Sequence, residues 1–330
     1  MFKRLLLMCS IFGVSVLGPC ATAMNATGGY ASRPIKLFVG YAAGGTADVV
    51  ARMLAKEIGN SLGASVVVEN KAGANALIAT NELRRSKPDG YTILMASLSH
   101  VVNPVLHPKE AQYDPVRDFA PIAGVVTLPL VIVTSYNSPY QSVADLISVA
   151  RKEPGHITFA SAGVGGSGHL AGAMLAQSAD VDMLHVPFNG NAPGLSEVIA
   201  GRVSFMFYPT IGIANRVQQK QVRVLAVATS ERMADFPNVP TLQEIGYTGF
   251  ERTAIWLGIL APKGTPKNIV KLLHQEVAKA LHKPEVQRRL SSLGALTVNS
   301  DPAQFSQFLA SDHARWSNVI QKAGIQGPQQ

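Results

Sequence analysis

The 330-residue chain is 47% hydrophobic and 15% charged, with 29 Lys and Arg against 21 Asp and Glu, a formal net charge of +8. That composition excludes a disordered chain and gives length enough for two domains. The basic residues are scattered and no basic run is interleaved with aromatics, which excludes a nucleic-acid partner and leaves a mildly basic solvated surface.

The first residues read as an export signal. Lys3 and Arg4 form a positive n-region, and Leu5 to Leu17 is an apolar h-region too short for a membrane span. Ala21-Thr22-Ala23 is a cleavage signal, so residues 1–23 are expected to be removed and the mature chain to work in the periplasm. Cys20 is a rival lipoprotein acceptor, but Pro19 stands where a small residue is needed. Cys9 and Cys20 both precede the cut, so the mature chain has no disulfide and no thiol chemistry.

From Arg33 onward strand and helix patterns alternate, the signature of an α/β protein with a largely parallel sheet. Ile35, Leu37 and Val39 alternate as a strand, and Ala42 to Gly45 is a small-residue turn. Thr46 is the expected N-cap of a helix carrying Val49, Val50, Met53, Leu54 and Ile58 on one face, with Asp48 in its first turn, where the helix dipole favours a carboxylate. Ser65 to Glu69 is a second strand, Asn75 to Ser86 a helix and Tyr91 to Ala96 a third strand. Ser97, Ser99 and His100 follow at its carboxyl end, the edge where ligands gather. Asn103 to Asp118, with several prolines, reads as an irregular surface excursion. Phe119 to Val133 is too long for one strand with Pro129 in it, and two strands joined at a kink are expected.

Ser142 to Lys152 is a helix, and Pro154-Gly155 opens a second cycle of the same kind. His156 to Ala160 is a strand, Ser161 to Gly168 a glycine turn, and His169 to Ser178 a helix with Leu170, Ala173, Met174 and Gln177 at helical spacing. Met183 to Phe188, Val203 to Phe207 and Val222 to Ala228 are strands, Asn189 to Gly194 a turn before a helix to Ala200, and Thr241 to Ile245 a short helix. Ala254 to Leu260 is a strand returning to the first body, followed by helices Thr265 to Leu281, Pro284 to Leu293 and Pro302 to Lys322. The expected organisation is a discontinuous domain, 33–127 plus 251–330, with a second domain, 128–250, inserted through crossings near Leu128 and Phe250. Each has a glycine turn after its first strand, and the two turns would face each other across a cleft.

A strand feeding a glycine turn feeding a helix offers free backbone N–H groups to an anion. Gly163-Val-Gly-Gly-Ser-Gly168 matches the dinucleotide fingerprint, but the next strand ends in Asn189 where that fold needs an acid. The first turn is not a P-loop, because no Gly-Lys-Ser/Thr follows. No histidine, cysteine or acid set has metal spacing, so no metal and no cofactor is expected. Ser167 lacks a nucleophile elbow, since His169 stands at the last glycine position. An exported hydrolase using Ser167 and His169 is the alternative reading, and a carboxylate-binding protein that is not an enzyme the leading one.

Several stretches together resemble the Bug family of extracytoplasmic solute receptors, the binding proteins of tripartite tricarboxylate transporters. They are Arg33-Pro-Ile with Gly44-Gly-Thr-Ala-Asp48, Val67-Val-Glu-Asn70 with Ala72-Gly-Ala74, Pro88-Asp-Gly-Tyr-Thr92, His185-Val-Pro-Phe-Asn-Gly190, Val239 to Gly246 and Ala261 to Pro266. The resemblance covers Arg33 to the last helix. It implies a two-domain, type II periplasmic-binding-protein fold that closes on a small organic carboxylate. It implies Tyr41, Ala43, Gly44, Gly45, Thr46 and Asp48 on one side and Ser161, Gly165, Gly166, Ser167 and His169 on the other. Ser97, Phe188, Asn189, Gly190 and Tyr208 would read the rest of the ligand. Asn191 and Tyr208 stand where the family commonly has a small and a short polar or acidic residue, so the identity of the carboxylate stays open. The implied partners are the membrane subunits of such a transporter or, alternatively, a sensor kinase; the protein itself is expected to be a monomer.

Overall fold

The computed structural model describes residues 30–188, 190–210 and 212–327; the export signal, both cysteines and Asn189 lie outside them. The first βα unit forms as its pattern dictates. β1 (Ile35–Val39) is buried on nearly every side chain, and α1 (Thr46–Leu62) turns Val50, Leu54 and Ile58 onto it. β2 (Val66–Asn70), α2 (Leu77–Arg85) and β3 (Thr92–Ala96) complete a parallel unit, β1 pairing with β2 and β3.

The kink at Pro129 is where the chain changes sheet. β4 (Phe119–Leu128) ends before the proline and β5 (Leu130–Ser135) starts after it. Proline has no N–H to give a ladder, so the residue that would break one strand separates two. α4 (Val143–Lys152) follows, capped by a reciprocal Ser142–Asp145 box, and buries Val143, Leu146, Ile147 and Ala150. β6 (Thr158–Ser161), α5 (Ser167–Ala179), β7 (Leu184–Pro187), α6 (Asn191–Ile199), β8 (Phe205–Pro209), α7 (Ile213–Gln218) and β9 (Val222–Val227) build the second sheet, in order β7-β6-β8-β5-β9. β10 (Ile255–Pro262) then re-enters the first sheet, followed by α8 (Lys267–Leu281), α9 (Pro284–Ser292), β11 (Leu296–Ser300) and α10 (Pro302–Lys322). The first sheet has the order β11-β4-β10-β3-β1-β2. β5 and β10, the strands that carry the chain from one sheet to the other, run antiparallel to both of their neighbours.

Several local expectations need correction. Asn103 to Asp118 is no surface excursion: α3 (Leu98–Leu106) runs into it with Pro104 inside, and Asn103, Leu106, Ala111 and Tyr113 are buried. Pro104 lacks the N–H that would return to the His100 carbonyl, and Tyr113 Oη donates to that carbonyl instead at 3.1 Å. The inward face of α5 is Leu170, Ala171, Leu175 and Ala179, with Met174 packed beside it, while Gln177 is exposed. α6 begins inside the expected 189–194 turn, α7 and the exposed edge strand β11 had no clear period, and Thr241 to Ile245 is a turn.

Candidate functional site

Both glycine turns sit at the carboxyl end of the first strand of a parallel pair, and they have the same backbone. Gly44 and Gly165 have positive φ, +81° and +76°. The next glycine is the helix N-cap in each, Gly45 at φ −72°, ψ 168° and Gly166 at φ −72°, ψ 159°, with no side-chain capping bond. Thr46, expected as the cap, is therefore the first helical residue, the position Ser167 holds in α5. Gly45 N–H donates to the Ala42 carbonyl at 3.4 Å and Gly166 N–H to the Gly163 carbonyl at 3.3 Å. In each helix the first amide returned to a carbonyl is one turn in, Val49 to Gly45 and Leu170 to Gly166. The amides before them are the orphan donors of a helix N-terminus.

The fastening of the turns differs. Gly44 N–H donates to Asp48 Oδ2 at 2.8 Å, and Gly165 N–H donates to His169 Nδ1 at 3.0 Å, the same four-residue step. Asp48 is buried and also accepts from Arg52 Nε (3.0 Å) and Asn70 Nδ2 (2.9 Å), while Asn70 Nδ2 also donates to the Tyr41 carbonyl. Burial alone would raise its pKa, but the bonds from Arg52, Gly44 and Asn70 outweigh it and hold the carboxyl below its usual range. Asp48 thus pins the turn and spends its oxygens within the protein.

His169 stacks on His185, centroids 3.7 Å apart and rings within 10° of parallel, with Phe159 beyond them. Burial drives His169 down to about 3, with His185 adding to the effect, and burial takes His185 down to about 4. Because His169 Nδ1 accepts a backbone N–H, the ring is neutral with its proton on Nε2. His185 Nε2 lies 2.7 Å from Ser161 Oγ, which also accepts from Gly163 N–H. Ser161 is therefore a buried strut of the turn.

Around the first turn, Tyr41 Oη lies 2.6 Å from Ser97 Oγ and donates to Ser99 Oγ at 2.9 Å; burial raises its pKa against the pull of both serines. Ala43 is exposed at the turn's tip. Around the second, Phe188 N–H donates to the Ser161 carbonyl and Gly190 caps α6 at φ +115°. Phe188 and Tyr208 pack against one cluster with Ala160 and Met206. The expected residues thus gather into two groups, one at each turn. A Cβ on Gly165 would lie 2.3 Å from Leu106 Cδ1, so the second turn rests on α3 of the first sheet. Arg52, Asn70, Leu106 and His185 are site residues that pattern reading did not select, and among them only Arg52, four residues after Asp48, carried a signal; Ser99 was marked by its place at the end of β3.

The hydrolase alternative finds no geometry. His169 Nδ1 is taken by Gly165, and among the described residues Ser167 Oγ makes no hydrogen bond and no carboxylate orients either imidazole. Among the described residues no group of three His, Cys, Asp or Glu side chains is placed to hold a metal.

Residues 50–325 match the model of the tripartite tricarboxylate transporter family receptor. The BugT protein of Bordetella pertussis is 32% identical over 323 residues, covering 97% of this chain and 98% of its own. Among solved structures, Rpa4515 of R. palustris with adipate is 30% identical, TM-score 0.79, covering 91% of this chain and 100% of its own. MatC of Rhodopseudomonas palustris with bound malate is 31% identical, TM-score 0.77, covering 88% of this chain and 99% of its own.

Proposed function

The chain belongs to the tripartite tricarboxylate transporter receptor family, whose members are solute-binding receptors rather than enzymes, and from that premise we propose that it captures a small organic carboxylate between its two glycine turns. The observation that carries this reading is the matched pair of uncapped helix N-termini, at Gly45 and Gly166, each behind a glycine held at positive φ. Orphan amides from α1 and α5 would neutralise the carboxylate, and the neutral His169 adds no competing positive charge. The adipate and malate held by the two relatives support a carboxylate as ligand.

In this proposal Tyr41 to Asp48 and Ser161 to His169 form the clamp, while Ser97, Phe188, Asn189, Gly190 and Tyr208 read the far end of the ligand. The bodies 33–127 plus 251–330 and 128–250 close on it. The mature chain starts near Met24, is periplasmic and monomeric, and delivers its ligand to the membrane subunits of a tripartite transporter. The test is a thermal-shift and calorimetric panel of mono-, di- and tricarboxylates on the purified mature protein. A ligand that binds the native chain and not the unfolded one raises the melting temperature by mass action. A panel in which no carboxylate shifts the transition counts against the clamp.

A further inference from the structure

Between the two turns lies a segment that the clamp does not use. Gly73 to Ala76 connects β2 to α2, and Ala74, Asn75 and Ala76 all have positive φ, 46°, 51° and 68°. L-residues avoid that region, and a run of them persists only where the surroundings enforce it. The enforcing residue is Asn103, fully buried on α3. Its Nδ2 donates to the Asn75 carbonyl at 2.9 Å, and its Oδ1 accepts from Asn75 Nδ2 at 3.2 Å.

This exchange fixes which way the Asn75 amide faces. Asn103 must present Nδ2 to a backbone carbonyl, so its Oδ1 faces the Asn75 side chain, which must answer with Nδ2. Asn75 Oδ1 is then turned away from Asn103. Among the described residues no hydrogen bond reaches it, and in this part-buried side chain it is not one of the fully buried unpartnered atoms.

The segment touches both turns. A Cβ on Gly40, at the root of the first, would lie 2.2 Å from Ala76 Cβ; a Cβ on Gly165, in the second, would lie 3.8 Å from Asn75 Nδ2. An unpartnered acceptor on a segment that touches both donor-lined turns suits a donor on the ligand. We propose that Asn75 Oδ1 is a specificity-determining acceptor that takes a hydrogen bond from a hydroxyl or ammonium close to the clamped carboxylate. It selects hydroxy- or amino-substituted carboxylates over unsubstituted ones of the same length. This rests on the two-turn clamp.

The experiment is calorimetry on matched pairs, malate against succinate and lactate against propionate, with the wild type and Asn75→Gly. Glycine suits the positive φ, so the variant keeps the segment's shape, which its melting curve verifies. One hydrogen bond predicts that the wild type prefers the hydroxylated member by about fivefold. Asn75→Gly should bring that ratio near unity while leaving succinate and propionate affinities unchanged. A wild type without the preference, a ratio that survives the substitution, or an equal loss on both members of a pair overturns the assignment. A wild type that binds no carboxylate at all sinks the clamp instead, and this inference with it.

Discussion

The two glycine turns share a backbone but not a lock. In the first, the acceptor four residues beyond the positive-φ glycine is an ionised Asp48, tied to the half-exposed Arg52 and to Asn70. In the second it is a neutral imidazole, buried against a second imidazole. The first turn has open space at Gly44, where a Cβ would meet no atom within 4 Å, while the second has Leu106 against Gly165. The shape of such a turn is therefore set by where an acceptor stands. The chemistry of the acceptor sets what disturbs it.

The sharpest way to break this equivalence is to put the same methyl group on both turns. Gly165→Ala meets the strained φ and Leu106 together and should lower carboxylate affinity more than tenfold. Gly44→Ala meets the φ cost alone, about 1 kcal/mol or roughly fivefold. Calorimetry on the two variants checks the order, and equal losses would show that Leu106 yields freely.

Next in size are the locks. Asp48→Ala removes the acceptor of Gly44 N–H and of one Asn70 Nδ2 hydrogen, the other staying on the Tyr41 carbonyl, and should cost about 2 kcal/mol of stability in urea, with little of that from the solvent-screened Arg52 pair. His169→Gln keeps an acceptor within reach and should cost about 1 kcal/mol or less.

Acid distinguishes the turns without mutation. His169 and His185 are depressed to about 3 and about 4, so below their unfolded value of 6.5 an opened chain takes up protons that the native one refuses. The stability they contribute is complete above that value and is lost as pH falls toward their folded values. Asp48, also depressed, keeps its contribution until pH falls below the ordinary aspartate value of 3.8. Amide exchange should therefore show Gly165 losing protection between about pH 6 and 4 while Gly44 holds. The smallest effects belong to the hydroxyls: Thr46→Ala and Ser167→Ala remove no capping bond and should change stability by less than about 0.5 kcal/mol.

Much of this architecture was readable from the sequence. The period-2 and period-3.6 stretches, the Pro129 kink and the proline-led α10 stand where the pattern put them, because each is a local signal backed by burial. α3 was missed because its buried polar residues, Ser99, His100 and Asn103, mask its apolar period and find partners in other segments, at Tyr41, Pro115 and Asn75. Thr46 misled as a cap because glycine can replace a capping side chain when an acceptor deeper in the helix closes the turn. At the site, the glycines, Asp48 and His169 were visible, and the bonds by which the last two fasten the turns were not. The stacking of His185 on His169 joins residues from two elements, and no spacing rule reports it.

The placement of β10 has a consequence for how the chain is made. The second sheet has all its strands once residue 227 has left the ribosome, whereas the first lacks β10, its link between β3 and β4, until residue 262. A nascent chain grows from its N-terminus and folds as whole units become available. The body begun last should therefore mature first, and the body begun first should stay open until synthesis is nearly over. Ribosome-arrested chains made without residues 1–23, from which residue 227 but not β10 has emerged, should resist protease only within the later-begun body.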